Sequence, residues 1–384
     1  MGSMDITVPQ KGKGLTFLSI VLSIVAALAL SLGFAAILAS TAQAATKQKT
    51  LLFSANQAAH NLTVLQVDEK TGKLQSVGKP YKTGKFPVSV DTSPNGKFVY
   101  VANQGSDSVS VFEVNTSTGM LTQIEGSPFN VGHYPDSVKI SPNGKFAYIS
   151  NENENHISVF HVNPESGALT PTKLSAPTQE HPISVILSPN GKFAYVSNFY
   201  AYTVSSYRVD ANTGALTPSG SAAKTGERPI YIDITPDNRF AYVANYGGTT
   251  VSAFSIDQKT GALTEVKGSP FAAGSQPYSV VVDASEHFVY AANWGTHDVS
   301  AYRLDSKTGA LTEVKGSPYG ADWFPYAVVV DADSHYVFVS NNGAGNIDSY
   351  QLNSSTGGLK KVAGSPFATA LGPYSLTYSR YTVN

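Results

Sequence analysis

Three side chains in this sequence have the chemistry of a hydrolytic site: Glu152, His181 and Arg228. A carboxylate or an imidazole can take a proton from water as it attacks an ester carbonyl. A guanidinium can hold the negative charge that then develops on the carbonyl oxygen. Glu152 or His181 is therefore the candidate general base, and Arg228 the candidate oxyanion cation. Gln104, His133, Tyr134, Tyr246, Trp294 and Trp323 are the candidate binding residues, suited to stack on and hydrogen-bond a small ring. Sharper signatures are missing: there is no Gly-x-Ser-x-Gly elbow, no His-Glu-x-x-His and no phosphate-binding glycine loop ahead of a helix. The candidates are far apart in the chain, 29 residues from Glu152 to His181 and 47 from His181 to Arg228. An architecture that brings the chain back to one place at that interval would unite them.

Such a repeat is present. The stretch from Pro87 to Gly132, PVSVDTSPNGKFVYVANQGSDSVSVFEVNTSTGMLTQIEGSPFNVG, returns from Pro135, Pro182, Pro229, Pro277 and Pro325 and begins again at Pro373. Successive starts are 47 or 48 residues apart, the interval of a blade or solenoid unit. Each unit holds four short runs of strand chemistry. An inner run (PVSV, PDSV, PISV, PIYI, PYSV, PYAV, PYSL) is followed in three units by an Asn-Gly hairpin turn, at Asn95-Gly96, Asn143-Gly144 and Asn190-Gly191. A β-branched and aromatic run such as FVYVAN comes next, then an alternating run such as VSVFEV, a Thr-Gly or Ser-Gly turn, and a run like ALTEVKGSPF. Four antiparallel strands per unit make a propeller blade. Residues 51–86 carry only the last three runs, and the segment from Pro373 only the first. Joined, they complete a seventh blade. The expected fold is all-β, a seven-bladed β-propeller with four antiparallel strands per blade and one blade closed by the N- and C-terminal segments, which leaves no free sheet edge.

In a blade entered at its inner strand, the loop before the first strand and the loop between the second and third lie on one end of the ring. The Asn-Gly and Thr-Gly turns lie on the other. The turn end is nearly the same in every unit, whereas the opposite end changes residue identity, and loops on a rigid scaffold are where function concentrates. There, the pairs before the inner-strand prolines are Lys85-Phe86, His133-Tyr134, Glu180-His181, Glu227-Arg228, Ser275-Gln276, Trp323-Phe324 and Leu371-Gly372. The residues after the asparagines that end the second strands add Gln104, Glu152, Phe199, Tyr246, Trp294 and Asn342. Every candidate therefore belongs to the mouth of the central channel. Proline biases the residue before it to extended backbone, so the rim residues are expected to be extended. The recurrent asparagines (Asn56, Asn103, Asn151, Asn198, Asn245, Asn293, Asn341) are expected to satisfy loop backbone groups. Plainer roles exist for the rest: aromatics that plug the channel, and His181 and Arg228 as solvated partners of Glu180 and Glu227. Asp331-Ala-Asp333-Ser-His335 has the outline of a calcium loop but replaces SPNGK and lacks further ligands, so it reads as a turn. His156 and His161 have no spacing that requires convergence. No metal site and no cofactor is expected.

The formal charge of −1 and the lack of a basic run argue against nucleic acid as a partner. Zero cysteines exclude disulfides, thiolate metal sites and cysteine nucleophiles. The N-terminus is a separate matter. Lys11 and Lys13 precede an apolar run over residues 15–38, followed by Ser40-Thr-Ala42-Gln-Ala44-Ala45. This is the layout of an export signal, read as residues 1–44 with cleavage after Ala44. The run is nearly long enough to cross a bilayer, so an uncleaved membrane tether through residues 15–38 is the alternative. Either way residues 45–384 form a single domain that works outside the cytosol, in the periplasm, at the cell surface or secreted, and is expected to be a monomer.

The repeat also carries a resemblance. IDQKTGALTEVKGSPFAAGSQPYSVVVD and VNPESGALTPTKLS resemble the seven-bladed lactonase family, which includes 6-phosphogluconolactonases and the fungal carboxymuconate cycloisomerase. SPNGKFVYVAN is also similar to the YVTN-type repeat of surface-layer propellers. The resemblance spans residues 50–384 and implies a channel-mouth site built from histidine, arginine and glutamate. It further implies a Pro-Arg-His segment entering an inner strand and an Asn-Glu ending the next strand of the same blade. Here Glu227-Arg228-Pro229 keeps the arginine, the Asn-Glu is Asn151-Glu152 two blades earlier, and His181 falls between. Two functions follow: hydrolysis of a lactone, more plausibly unphosphorylated because the mouth has few cations, or non-catalytic binding of a glycan or protein partner.

Overall fold

The second run of each unit has no polar face, and the reason is its position. In all six complete units its strand (Phe98–Asn103, Phe146–Asn151, Phe193–Asn198, Phe240–Asn245, Phe288–Asn293, Tyr336–Asn341) is buried at every residue. A sheet covered on both faces must be apolar on both, and here each face is covered by a neighbouring blade. The computed structural model describes residues 47–383, and Gly2. Its strands form seven sheets, each running inner, second, third and outer strand in order. The predicted closure is present: Pro373–Val383 is the inner strand of the sheet whose second strand is Lys47–Asn56. We number this blade 1 and the others 2 to 7 in chain order. Their inner strands are Pro87–Thr92, Pro135–Ile140, Pro182–Leu187, Pro229–Ile234, Pro277–Val282 and Pro325–Val330. The apolar core consists of clusters between adjacent blades, such as Phe98, Tyr100 and Val109 of blade 2 against Val138, Ile149 and Phe160 of blade 3.

The fourth strand departs from expectation. In six blades it is broken in two, as Leu121–Gln123 and Phe129–Asn130 in blade 2, both halves pairing with the third strand. Glycines with φ of 78° to 97°, among them Gly126, Gly268 and Gly316, turn the chain between the halves, a conformation that costs glycine nothing. Blade 3 has PTKLSAP at this point, with no glycine, and its outer strand runs unbroken from Leu169 to Pro177. Blades are locked in register by a recurring bond. The hydroxyls of Tyr100, Tyr148, Tyr195, Tyr242 and Tyr290 each donate to a turn-glycine carbonyl of the next blade at 2.9–3.1 Å. Blade 7 has Phe338 instead of tyrosine, and there Ser349 Oγ donates to Gly72 of blade 1 at 2.7 Å.

The inner strands face the channel, so their outward N–H groups lack a strand partner. Side chains of the preceding blade supply acceptors: Ser89 Oγ for Val138 N, Asp91 Oδ2 for Ile140 N, Asp233 Oδ2 for Val282 N and Ser375 Oγ for Val90 N. Lys139 sits 3.1 Å from Asp91 and offsets the buried acids. Burial pushes the Asp233 carboxyl up to about 6, against two backbone N–H bonds and the Lys139 charge.

The asparagines ending the second strands bond differently from the expectation. Asn245 Nδ2 donates to Thr250 Oγ1 at 3.0 Å and Ser252 Oγ at 2.9 Å, and Asn103 and Asn293 make the equivalent bonds to the third strand. Loop backbone is a minor partner, as where the Gln179 N–H donates to Asn198 Oδ1 at 3.2 Å. The adjoining loop passes close against the asparagine side chain: a Cβ on Gly132 would lie 2.3 Å from Asn151 Oδ1. We expect Asn245→Ala to destabilise the protein by about 1–2 kcal/mol, since it removes two hydrogen bonds, one of them to the buried Ser252 hydroxyl. Thermal unfolding should show a midpoint several degrees lower, and an unchanged midpoint would mean that the amide contributes no net stability.

Candidate functional site

Seven equivalent hydrogen bonds build the channel mouth. The residue before each inner-strand proline accepts, at its carbonyl, the backbone N–H of the residue after the strand-ending asparagine. The pairs include Phe86–Gln104 at 2.9 Å, Tyr134–Glu152 at 3.1 Å, His181–Phe199 at 2.8 Å, Arg228–Tyr246 at 3.0 Å and Gln276–Trp294 at 3.0 Å. The rim residues are not extended, as expected from proline, but left-handed: φ is 51° to 61° at Phe86, Tyr134, His181, Arg228, Gln276 and Phe324, and 72° at Gly372. The paired carbonyl and a second bond override the local preference. That second bond is a donation from the rim N–H to Asp107 Oδ1 for Tyr134 and to Asn155 Oδ1 for His181. A non-glycine residue held in this region costs about 1–3 kcal/mol and persists only where its surroundings fix it.

This frame brings two of the three catalytic candidates into contact. Glu152 Oε1 lies 2.9 Å from His181 Nδ1, with side-chain exposures of 18% and 32%. A carboxylate on Nδ1 holds the proton there and leaves Nε2 as the basic nitrogen. Gln104, a binding candidate, donates from Nε2 to Asp136 Oδ1 at 2.7 Å and lies 3.5 Å from Glu152 Oε2. Asp136 was not among the candidates. The signal for it was in the inner runs, where it is the sole charged residue at the second position (Val88, Asp136, Ile183, Ile230, Tyr278, Tyr326, Tyr374). Tyr134 borders the same group; burial first, then the charges of Glu152 and Asp136, push its phenol up.

Arg228 stands one blade further on. It is exposed, with Cζ 5.8 Å from the Phe199 ring centroid. Among the described residues it makes no ion pair, and neither Glu180 nor Glu227 pairs with it or with His181. From His181 an arc of rings follows the mouth: Tyr200 at 4.4 Å, Phe199 at 5.0 Å from Tyr200, Tyr246 at 6.4 Å from Phe199, and Trp294 at 6.1 Å from Tyr246. Trp294 stacks on Phe324 at 4.7 Å. Deeper in the channel Tyr278, Tyr326 and Tyr374 pack together, with Tyr278 and Tyr374 joined through their hydroxyls. Two binding candidates stay apart from this group. His133 is bound at Nδ1 by Asp107 at 3.0 Å on the exposed rim, and Trp323 is 67% exposed.

The other half of the channel, toward the turn end, contains a cavity of about 460 Å³ lined by Asp91, Lys139, Tyr231 and Asp233. It contains none of the candidates, and its acids already serve as backbone acceptors. Asp331, Asp333 and His335 place ligand atoms within 4.8 Å of one another. Asp331 Oδ1, however, accepts the N–H groups of His335 and Tyr336, and Arg380 clasps Asp333 at 2.9 and 2.5 Å. The segment behaves as the turn expected of it. His156 bonds Ser158 and His161 rests on Phe146, so they do not converge.

Comparisons with known proteins agree with this architecture. The family model for the seven-bladed β-propeller lactonases matches residues 82–186, 175–277 and 262–370. Among solved structures, a candidate 6-phosphogluconolactonase from Bacteroides uniformis superposes with a TM-score of 0.76 at 18% identity, covering 86% of this chain and 99% of its own. A second, from Bacteroides fragilis, gives 0.74 at 21% identity with coverages of 88% and 99%. The periplasmic gluconolactonase of Pseudomonas aeruginosa gives 0.75 at 17% identity with coverages of 88% and 100%. No curated protein matches the sequence significantly.

Proposed function

Because the chain belongs to the family of seven-bladed β-propeller lactonases, we propose that it hydrolyses a small, unphosphorylated sugar or organic lactone at the channel mouth. The observation that carries this reading is the 2.9 Å contact between Glu152 and His181 Nδ1. It supports one division of roles: His181 Nε2 is the general base on water, and Glu152 orients the imidazole and stabilises the imidazolium that forms. Water attacks the lactone carbonyl as Nε2 takes its proton. The developing oxyanion is held by Arg228, whose guanidinium makes no ion pair among the described residues and lies over Phe199. The C–O bond to the ring oxygen then breaks, and the imidazolium returns the proton to that oxygen. Tyr246 and Trp294 present ring faces suited to a sugar. The acids Asp107, Glu152 and Glu154 outweigh the cations around the mouth, which disfavours a phosphorylated substrate. Residues 1–44, whose sequence reads as an export signal or tether, lie outside the described structure; they support a site of action outside the cytosol.

The test is proton release from glucono-δ-lactone, its 6-phosphate, glucono-γ-lactone and simple γ- and δ-lactones, with Arg228→Ala beside the parent protein. We expect turnover of an unphosphorylated lactone that falls about a hundredfold in Arg228→Ala. Turnover untouched by that change would remove the oxyanion role. No turnover above the spontaneous rate on any of them would favour a second reading, binding of a glycan or protein partner. The exposed rim rings Phe86, Tyr200, Tyr202 and Trp323 favour that reading.

A further inference from the structure

Asp136 is 9% exposed, and its two oxygens are treated unequally. Oδ1 accepts from Gln104 Nε2 at 2.7 Å, whereas Oδ2 is sealed from solvent with no donor. The same Gln104 Nε2 lies 3.5 Å from Glu152 Oε2, which sets the Glu152 carboxyl, itself an acceptor, beside Asp136. Two carboxylates that share one amide donor cannot both stay ionised in a buried site. Glu152, with 18% of its side chain exposed, is the shallower member and contacts His181; Asp136, at 9%, is the deeper one. The proton belongs on Asp136, and its O–H then has one acceptor to use.

Building on the hydrolase reading, we propose that Asp136 is a positioning residue: as a carboxylic acid it donates a hydrogen bond to Glu152 and holds that side chain aimed at His181 Nδ1. Gln104 fixes the pair from the third side. Burial first, with the hydrogen bond and charge of Glu152 added, pushes the Asp136 carboxyl well up from its ordinary range. The device does not touch substrate, since Oδ2 is out of reach of solvent. It fails at alkaline pH, when Asp136 ionises and the donor becomes a second negative charge beside Glu152.

The test compares Asp136→Asn with Asp136→Leu through pH–rate profiles on glucono-γ-lactone, which opens slowly by itself. Asparagine keeps a donor and cannot ionise; leucine has neither property. We expect the parent protein to lose activity on the alkaline side. Asp136→Asn should turn over less than about tenfold more slowly with that alkaline loss gone, and Asp136→Leu should fall about a hundredfold or more at every pH. An Asp136→Asn profile with the parent's alkaline loss, or equal losses in both variants, would overturn the proposal. Infrared spectroscopy of the parent at neutral pH gives a readout independent of turnover, a protonated-carboxyl band that Asp136→Asn removes. Absence of that band overturns the proposal even in an active enzyme. A band in a protein that opens no lactone would instead bring down the hydrolase reading and, with it, this role. Because the folded state binds this proton more tightly than the unfolded chain, native stability declines as pH rises past the ordinary carboxylate range. The melting advantage of Asp136→Asn over the parent should therefore grow toward alkaline pH.

Discussion

Glu152→Gln should lower lactone turnover by about 10³- to 10⁴-fold while leaving the ring folded. The reasoning starts from the contact with His181 Nδ1 at 2.9 Å. A carboxylate there accepts the Nδ1 proton, so Nε2 keeps its lone pair for water. A glutamine side chain can turn its amide N–H toward Nδ1, which moves the ring proton to Nε2 and removes the base. Loss of the corresponding carboxylate from a histidine-based site costs about that factor. Because Glu152 sits in a short loop turn with its backbone N–H held by Tyr134 O at 3.1 Å, the substitution should shift the melting midpoint little. The measurement is kcat and KM on the fastest lactone of the panel, with circular dichroism as the fold control. A drop in kcat with KM nearly unchanged supports the assignment. A loss under tenfold would mean that the carboxylate does not hold the imidazole during turnover.

Deleting Pro373–Asn384 should abolish the folded ring altogether. That segment is the inner strand of blade 1, paired with Lys47–Asn56. Its loss uncovers both sheet edges and strips the Ser375 acceptor from Val90 N. It also removes Leu376 and Tyr381, 6% and 4% exposed, and Tyr378 from the cluster shared with blade 7. Each such side chain contributes about 1.5–3 kcal/mol, against a total stability of about 5–15 kcal/mol for a native domain. The sum of burial and lost pairing therefore approaches the whole margin. The truncated chain should elute as aggregate and show no cooperative melt. Recovery of a melt on adding a peptide of residues 373–384 would confirm that strand pairing is what was missing. A soluble truncated protein melting within a few degrees of the parent would refute the closure as a stabilising element.

The fold was legible because it repeats: a 47–48-residue period with turn chemistry at fixed offsets leaves one architecture, and the split blade followed from counting runs at the two ends. The meeting of Glu152 with His181 was legible for the same reason, since each occupies a rim position in adjacent units. What escaped were outcomes decided by bonds between units. Proline argued for extended rim residues, and the carbonyl of each was instead captured by a neighbouring N–H. Turn chemistry argued that the asparagines serve loops, and their amides instead donate chiefly to third-strand side chains. Asp136 escaped because its meaning depends on a carboxyl sixteen residues on and a glutamine from the preceding blade.

The rim bonds have a consequence for how such a protein can change. Each joins one main-chain carbonyl to one main-chain N–H, and neither atom depends on which side chain its residue carries. The mouth is thus a set of interchangeable sockets, filled here by an imidazole in one, a guanidinium in the next and an indole further round. Mutation can rewrite the ligand such a ring accepts without renegotiating the scaffold beneath it. The inheritance is in the geometry of the sockets, and the chemistry is set by what currently occupies them.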